Sequence, residues 1–139
     1  MPARIIIADD YADNRELLRL MLSVVGYEIF EAKDGLECLR MVRAEMPDLI
    51  LIDLSMPVLD GWGVLRELRA DERTRAIPCV AFTALAEMDH ERAREKGFDA
   101  YIAKPFNGKD LLETVERLLA RAGATREDVD CQARSSNGH

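Results

Sequence analysis

Histidine is nearly absent: His90 and His139 are the only two in 139 residues. That removes most Ser/His and Cys/His nucleophile schemes and any histidine-rich metal site. Any catalysis has to run on carboxylates. The three cysteines, Cys38, Cys79 and Cys131, are odd in number, far apart and in no CxxC arrangement. Neither a disulfide framework nor a zinc site is indicated, and buried or idle thiols are expected. No stretch approaches the roughly 18 consecutive apolar residues of a membrane span, and the N-terminus lacks the basic-then-apolar layout of a signal peptide. A cytoplasmic protein with no membrane contact is expected. Positive charge is the minority sign, with 19 Lys+Arg against 26 Asp+Glu, a net charge of -7 and a pI near 4.9. That sign opposes a phosphate-backbone binder, so no direct nucleic-acid contact is expected.

What is present is an apolar share of 48% in a chain of 139 residues. That is enough to close one core without staples and leaves no room for a second folded domain. Short apolar runs alternate with stretches of helical period. Arg4 to Ala8 reads as a buried strand. From Asp13, a candidate N-cap, the positions Leu17, Leu18, Met21, Leu22 and Val25 trace a helix face that Gly26 ends. Tyr27 to Glu31 is a second strand, and Leu36, Leu39, Val42 and Met46 keep helical spacing up to Pro47. Asp48 to Ile52 is a third strand closed by Asp53, followed by a loop from Leu54 to Gly61 and a helix with Val64, Leu65 and Leu68. Pro78 to Phe82 is a fourth strand ending at Thr83. The helix expected over Ala86 to Lys96 is poor in apolar residues. Gly97 ends it, and Asp99 to Ala103 is a fifth strand with Lys104 and Pro105 after it. Leu111, Leu112, Val115, Leu118, Leu119 and Ala122 form the cleanest amphipathic stripe. Gly123 begins a polar tail with no clear period. The expectation is an α/β fold with a doubly wound, five-stranded parallel sheet and helices on both faces, because parallel strands need helical crossovers.

The unusual residues fall at one kind of place. Asp9 and Asp10 follow strand one, Asp53 follows strand three, Thr83 follows strand four and Lys104 follows strand five. All are carboxyl ends, where open parallel sheets bind ligands. In a flavodoxin-like order 2-1-3-4-5 the switch point between strands one and three would bring the three aspartates together. Taken singly, each acid could be a helix cap or a solvated side chain. Crowded at one site they repel unless a cation offsets them, and oxygen ligands suit Mg²⁺. Thr83 offers a hydroxyl donor and Lys104 a point charge, half of a cradle for phosphate.

These residues resemble the receiver domain of two-component response regulators, of the stand-alone chemotaxis-regulator or DivK-like kind. The resemblance covers about Ala3 to Ala122, so the domain is taken as residues 3–122 and the polar tail as 123–139. It rests on the Asp9-Asp10 pair, Asp53 with Met56-Pro57 and Asp60-Gly61 behind it, Thr83-Ala84, Tyr101 and Lys104-Pro105-Phe106. It implies Mg²⁺ ligation by Asp10, Asp53 and the Ser55 carbonyl, with Asp9 helping through water. It implies Asp53 as phosphoacceptor from a sensor histidine kinase or histidine phosphotransfer protein, with Lys104 and the Ala84 amide stabilising the transferring oxygens. Thr83 and Tyr101 would be the switch pair. The face made by the fourth helix, fifth strand and fifth helix would meet a downstream target protein or a second copy in a homodimer. The chain would then be a signalling switch, not an enzyme with turnover on outside substrates. With no effector domain expected to follow, its output would pass through another protein or a phosphorelay. A haloacid-dehalogenase-like phosphatase would share the aspartyl nucleophile and Mg²⁺, but wants a second Asp where Ser55 stands. A pseudo-receiver that has lost the chemistry is disfavoured by the full acidic set.

Overall fold

The computed structural model describes residues 2–54, 56, 58–84, 90–104 and 107–135; for residues 84, 90, 93 and 122–135 only the backbone is described. Five strands, β1 (Arg4–Ala8), β2 (Glu28–Ala32), β3 (Leu49–Asp53), β4 (Cys79–Ala84) and β5 (Ala100–Lys104), form one sheet in the order 2-1-3-4-5. All four pairings are parallel. The helices α1 (Ala12–Val25), α2 (Gly35–Glu45), α3 (Gly61–Ala70), α4 (His90–Lys96) and α5 (Gly108–Ser135) alternate with the strands. This is the doubly wound, flavodoxin-like arrangement expected from the alternation.

The central strands RIIIA and LILID are buried on both faces because successive side chains point to opposite sides of the sheet. Ile6, Ala8, Ile50, Ile52, Cys79 and Ala81 join one core with Cys38 and Leu39 of α2 and Val64, Leu65 and Leu68 of α3. Ile5, Ile7, Leu49, Leu51, Val80 and Phe82 join the other with Leu18 and Leu22 of α1 and Leu111, Val115 and Leu118 of α5. Alternation along each strand thus sorts residues between two helical layers.

Two helix starts are set by acids acting as N-caps. Asp34 caps α2 by accepting from the Glu37 amide at 2.8 Å, and Asp60 caps α3 by accepting from the Gly63 amide at 2.9 Å. The expected cap of α1 is corrected by the structure: Tyr11 holds the N-cap position with no side-chain cap, and Asp13 lies inside the first turn. The reason is that Asp9, from the end of the preceding strand, takes the Tyr11 amide on its own carboxylate. Of the apolar stripe read for this helix, Leu18 and Leu22 are buried while Leu17 and Val25 are exposed. A single helix over a sheet buries a narrower strip than its apolar positions allow.

The last helix also differs from expectation. It passes Gly123 and continues to Ser135. A helix already nucleated extends at small cost, so one glycine, at about 1 kcal/mol relative to alanine, does not stop it when helix-compatible residues follow.

Arg69 near the end of α3 ties the amino edge of the sheet together. Its guanidinium donates to the carbonyls of Gly97 (2.9 Å), Arg75 (2.8 Å) and Ile77 (2.8 Å) and to the Asp99 carboxylate (3.0 Å). Asp99 in turn accepts from the Cys79 amide at 2.8 Å. The described side chains of α4 are all exposed. Arg92 of this helix lies over the Trp62 ring at 4.6 Å, and Trp62 meets Phe98 edge to face at 5.6 Å.

Candidate functional site

The carboxyl edge of the sheet gathers the acids. Asp53 is the last residue of β3 and only 4% exposed, Asp9 follows β1 and is completely buried, and Asp10 beside it is exposed. One carboxylate oxygen of each lies within 4.8 Å of the others. Lys104, the last residue of β5, reaches across to both buried acids: its ammonium lies 3.2 Å from Asp9 Oδ2 and 3.2 Å from Asp53 Oδ2. It also sits 4.6 Å from the centre of the Phe82 ring.

Strand register explains the convergence. Asp53 pairs with Phe82, and Phe82 with Ile102, two residues before Lys104. Side chains two apart share a face, so Asp53, Phe82 and Lys104 lie on the side of α1 and α5. Asp9 continues the same parity from Ile5 and Ile7. Thr83 and Tyr101 fall on the opposite side with Ala81, since Ala81 pairs with Tyr101 and Thr83 with Ala103. Thr83 is 2% exposed and Tyr101 38% exposed. Ala84 pairs with Lys104 at the edge itself. Ser55 lies outside the described residues, as do Pro57, Pro105 and Phe106. Close behind the site, Gly61 opens α3 where a Cβ would come within 2.7 Å of the Asp53 carbonyl oxygen, so only glycine lets that loop fold back this tightly.

Burial holds the Asp9 carboxyl above the ordinary carboxylate range. The Tyr11 amide and the Lys104 ammonium oppose that rise, while the charge of Asp53 adds to it. Two further residues hold Asp9, and neither was singled out from sequence. The Asn14 amide donates to Asp9 Oδ2 at 3.3 Å, and the Arg15 guanidinium donates to the Asp9 carbonyl at 2.7 Å while pairing with Glu31 at 3.3 Å. The signal for them was their place one turn into the helix after the acidic pair. The donor set of the cluster is oxygen only, and one ammonium against three carboxylates leaves it net negative. Such a set fits a hard divalent cation.

A family model described as the response regulator receiver domain matches residues 5–116. The chain belongs to this family. It is thus a receiver domain of two-component response regulators, a family of signalling switches. The receiver domain is 38% identical over 123 residues to the polar-differentiation response regulator DivK of Brucella anthropi, covering 88% of this chain and 100% of that protein. It is 39% identical over 119 residues to the probable transcriptional regulator ycf27 of Guillardia theta, covering 85% of this chain and 46% of that protein. The chain therefore spans about half the length of the ycf27 relatives it matches. A putative response regulator from Chloroflexus aurantiacus superposes with a TM-score of 0.82 at 31% identity, covering 86% of this chain and 99% of that one. The receiver domain of a sensor histidine kinase from Pseudomonas aeruginosa superposes with a TM-score of 0.79 at 31% identity, over 86% of this chain and 99% of that one. That structure has a magnesium ion coordinated in its active site cleft. Among the described residues of the receiver domain, no helix is long and apolar enough to cross a membrane.

Proposed function

We propose that this receiver domain accepts a phosphoryl group on Asp53 from the phosphohistidine of a sensor histidine kinase or histidine phosphotransfer protein, and that the added charge switches a protein-binding face. The observation that carries the reading is the grouping of Asp9, Asp10 and Asp53 within 4.8 Å at one sheet edge, with Lys104 bridging the two buried acids. An Asp53 carboxylate oxygen bonds to phosphorus as the phosphorus–nitrogen bond breaks, and the leaving imidazole keeps that electron pair and takes up a proton. Lys104 and the Ala84 amide meet the charge on the transferring oxygens. Asp10, Asp53 and the Ser55 carbonyl would hold Mg²⁺, with Asp9 behind them. The chemistry supplied by the bound ion would be positive charge that offsets the repulsion of the incoming phosphoryl oxygens by the carboxylates.

The switch follows from electrostatics. An aspartyl phosphate carries about two negative charges where the carboxylate carried one, and each charge-assisted hydrogen bond it gains is worth about 1.5 to 3 kcal/mol. Inverting a two-state population from 1:99 to 99:1 takes about 5.5 kcal/mol, which two or three such bonds supply. Thr83 is drawn toward the phosphoryl group, and Tyr101, on the same sheet face, follows inward. The exposed side chains of α4 support mobility at the α4, β5 and α5 face, which would meet a downstream target protein or a second copy of the chain. The working unit of this switch is taken as residues 3–122.

Intact-mass measurement after incubation with acetyl phosphate and Mg²⁺ tests the reading. One phosphoryl adduct is expected in the wild type and none in Asp53→Asn. A wild type without an adduct, or an equal adduct in Asp53→Asn, would reject Asp53 as the acceptor.

A further inference from the structure

Among the described residues, Asp9 Oδ2 has two donors, the Lys104 ammonium at 3.2 Å and the Asn14 side-chain amide at 3.3 Å. Its other oxygen, Oδ1, accepts the Tyr11 amide at 2.9 Å. The same ammonium is shared with Asp53 at 3.2 Å. On the proposed function it must also serve phosphoryl oxygens arriving at Asp53. As it turns toward them it leaves Asp9 Oδ2, and among the described residues Asn14 is then the protein donor left on that oxygen of a completely buried side chain.

We propose that Asn14 is a positioning residue that keeps Asp9 in place when Lys104 is drawn away to the phosphoryl group. The proposal rests on the phosphoryl-acceptor reading for the destination of Lys104. The residue type suits the task. An amide N–H donates without carrying charge, so Asn14 holds Asp9 without competing against a divalent cation, as a lysine or arginine there would. Its backbone is fixed as well: the Tyr11–Asp9 bond sets the start of α1, and the Arg15 bond to the Asp9 carbonyl at 2.7 Å locks the first turn against the strand end. Asn14 therefore acts through Asp9 rather than on the reacting atoms.

Calorimetric titration of the full chain with MgCl₂, and then with beryllofluoride as a phosphoryl mimic in saturating Mg²⁺, tests this. Asn14→Ala, which suits a helix, is expected to bind Mg²⁺ about tenfold more weakly, the low end of the scale for losing a supporting partner around a metal site. It should lose more for beryllofluoride than for Mg²⁺ alone, because only the mimic draws Lys104 away. Asn14→Gln, which keeps the donor, should recover most of both losses. Asn14→Leu is the second donor-free variant should Asn14→Ala not fold. A purely structural role would lower the thermal midpoint and leave both affinities within about twofold of wild type, and that result overturns the proposal. A wild type that binds Mg²⁺ while the donor-free variants bind equally well overturns the role of Asn14 alone. A wild type that binds neither probe overturns the phosphoryl-acceptor reading and this inference with it.

Discussion

Asp9 carries a charge that chain folding alone does not favour. Burial raises its carboxyl above the ordinary range and the nearby Asp53 charge adds to the rise, so the ionised form is a burden until a cation arrives. Asp9→Asn removes the charge at nearly constant volume, and Lys104 keeps Asp53 as its partner. The variant is expected to unfold about 3 °C higher without divalent ions, equivalent to about 1 kcal/mol, and to bind Mg²⁺ more weakly by calorimetry. A lower midpoint would show that the Lys104–Asp9 pair stabilises more than burial costs. At this scale Asp9, Asp10, Asp53 and Lys104 were legible because each stands beside a strand-like run in the chain. Asn14 and Arg15 were not, because their partners are set by the turn of a helix in space. Tyr11, in the N-cap position expected of Asp13, shows the same limit: the strand end had already supplied the acceptor.

Among the elements, α4 is the least anchored and Arg69 is its fixed end. The arginine satisfies the Gly97 carbonyl just past α4, two carbonyls of the turn before β4, and the Asp99 carboxylate ahead of β5. Arg69→Met keeps the apolar stem and leaves those acceptors without their donor. Its side chain is 23% exposed, so water recovers part of the loss. A destabilisation of about 2 kcal/mol is expected from urea unfolding, with faster amide exchange at the end of α4. Unchanged stability would mean that the carbonyls are served equally well by water. The sparse apolar content of this helix was readable from sequence. Its pinning was not, since an arginine on α3 gives no local sign of reaching a residue 28 positions away. The extent of α5 escaped for another reason: glycine marks a cost, and cooperativity decides whether the cost ends the helix.

Among the described side chains of the molecule, two thiols are kept out of water. Cys38 of α2 and Cys79 of β4 are buried in the core layer under α2 and α3. Burial pushes the Cys79 thiol from 9.0 up to about 12, and moves Cys38 in the same direction. A pKa raised by folding stabilises fully below the unfolded value and is lost as pH climbs toward the folded one. Stability should therefore fall above about pH 9, by about 2 kcal/mol for each thiol near pH 10.5. Urea unfolding across that range should show the gap between wild type and Cys79→Ala narrowing as pH rises. A constant gap would place the alkaline loss on other groups.

Local pattern alone determined the alternation of five strands and five helices, the two-sided burial of the central strands and the residues at the strand ends, because periodicity and strand-end chemistry are properties of neighbours in the chain. Tertiary structure decided which of those residues meet. Parallel register sends Asp53, Asp9 and Lys104 to one face and Thr83 and Tyr101 to the other, and it lets an ammonium from position 104 pair with acids at positions 9 and 53. Distances between groups so far apart in sequence depend on how the strands pair and how the helices cover them, and only the closed fold supplies that.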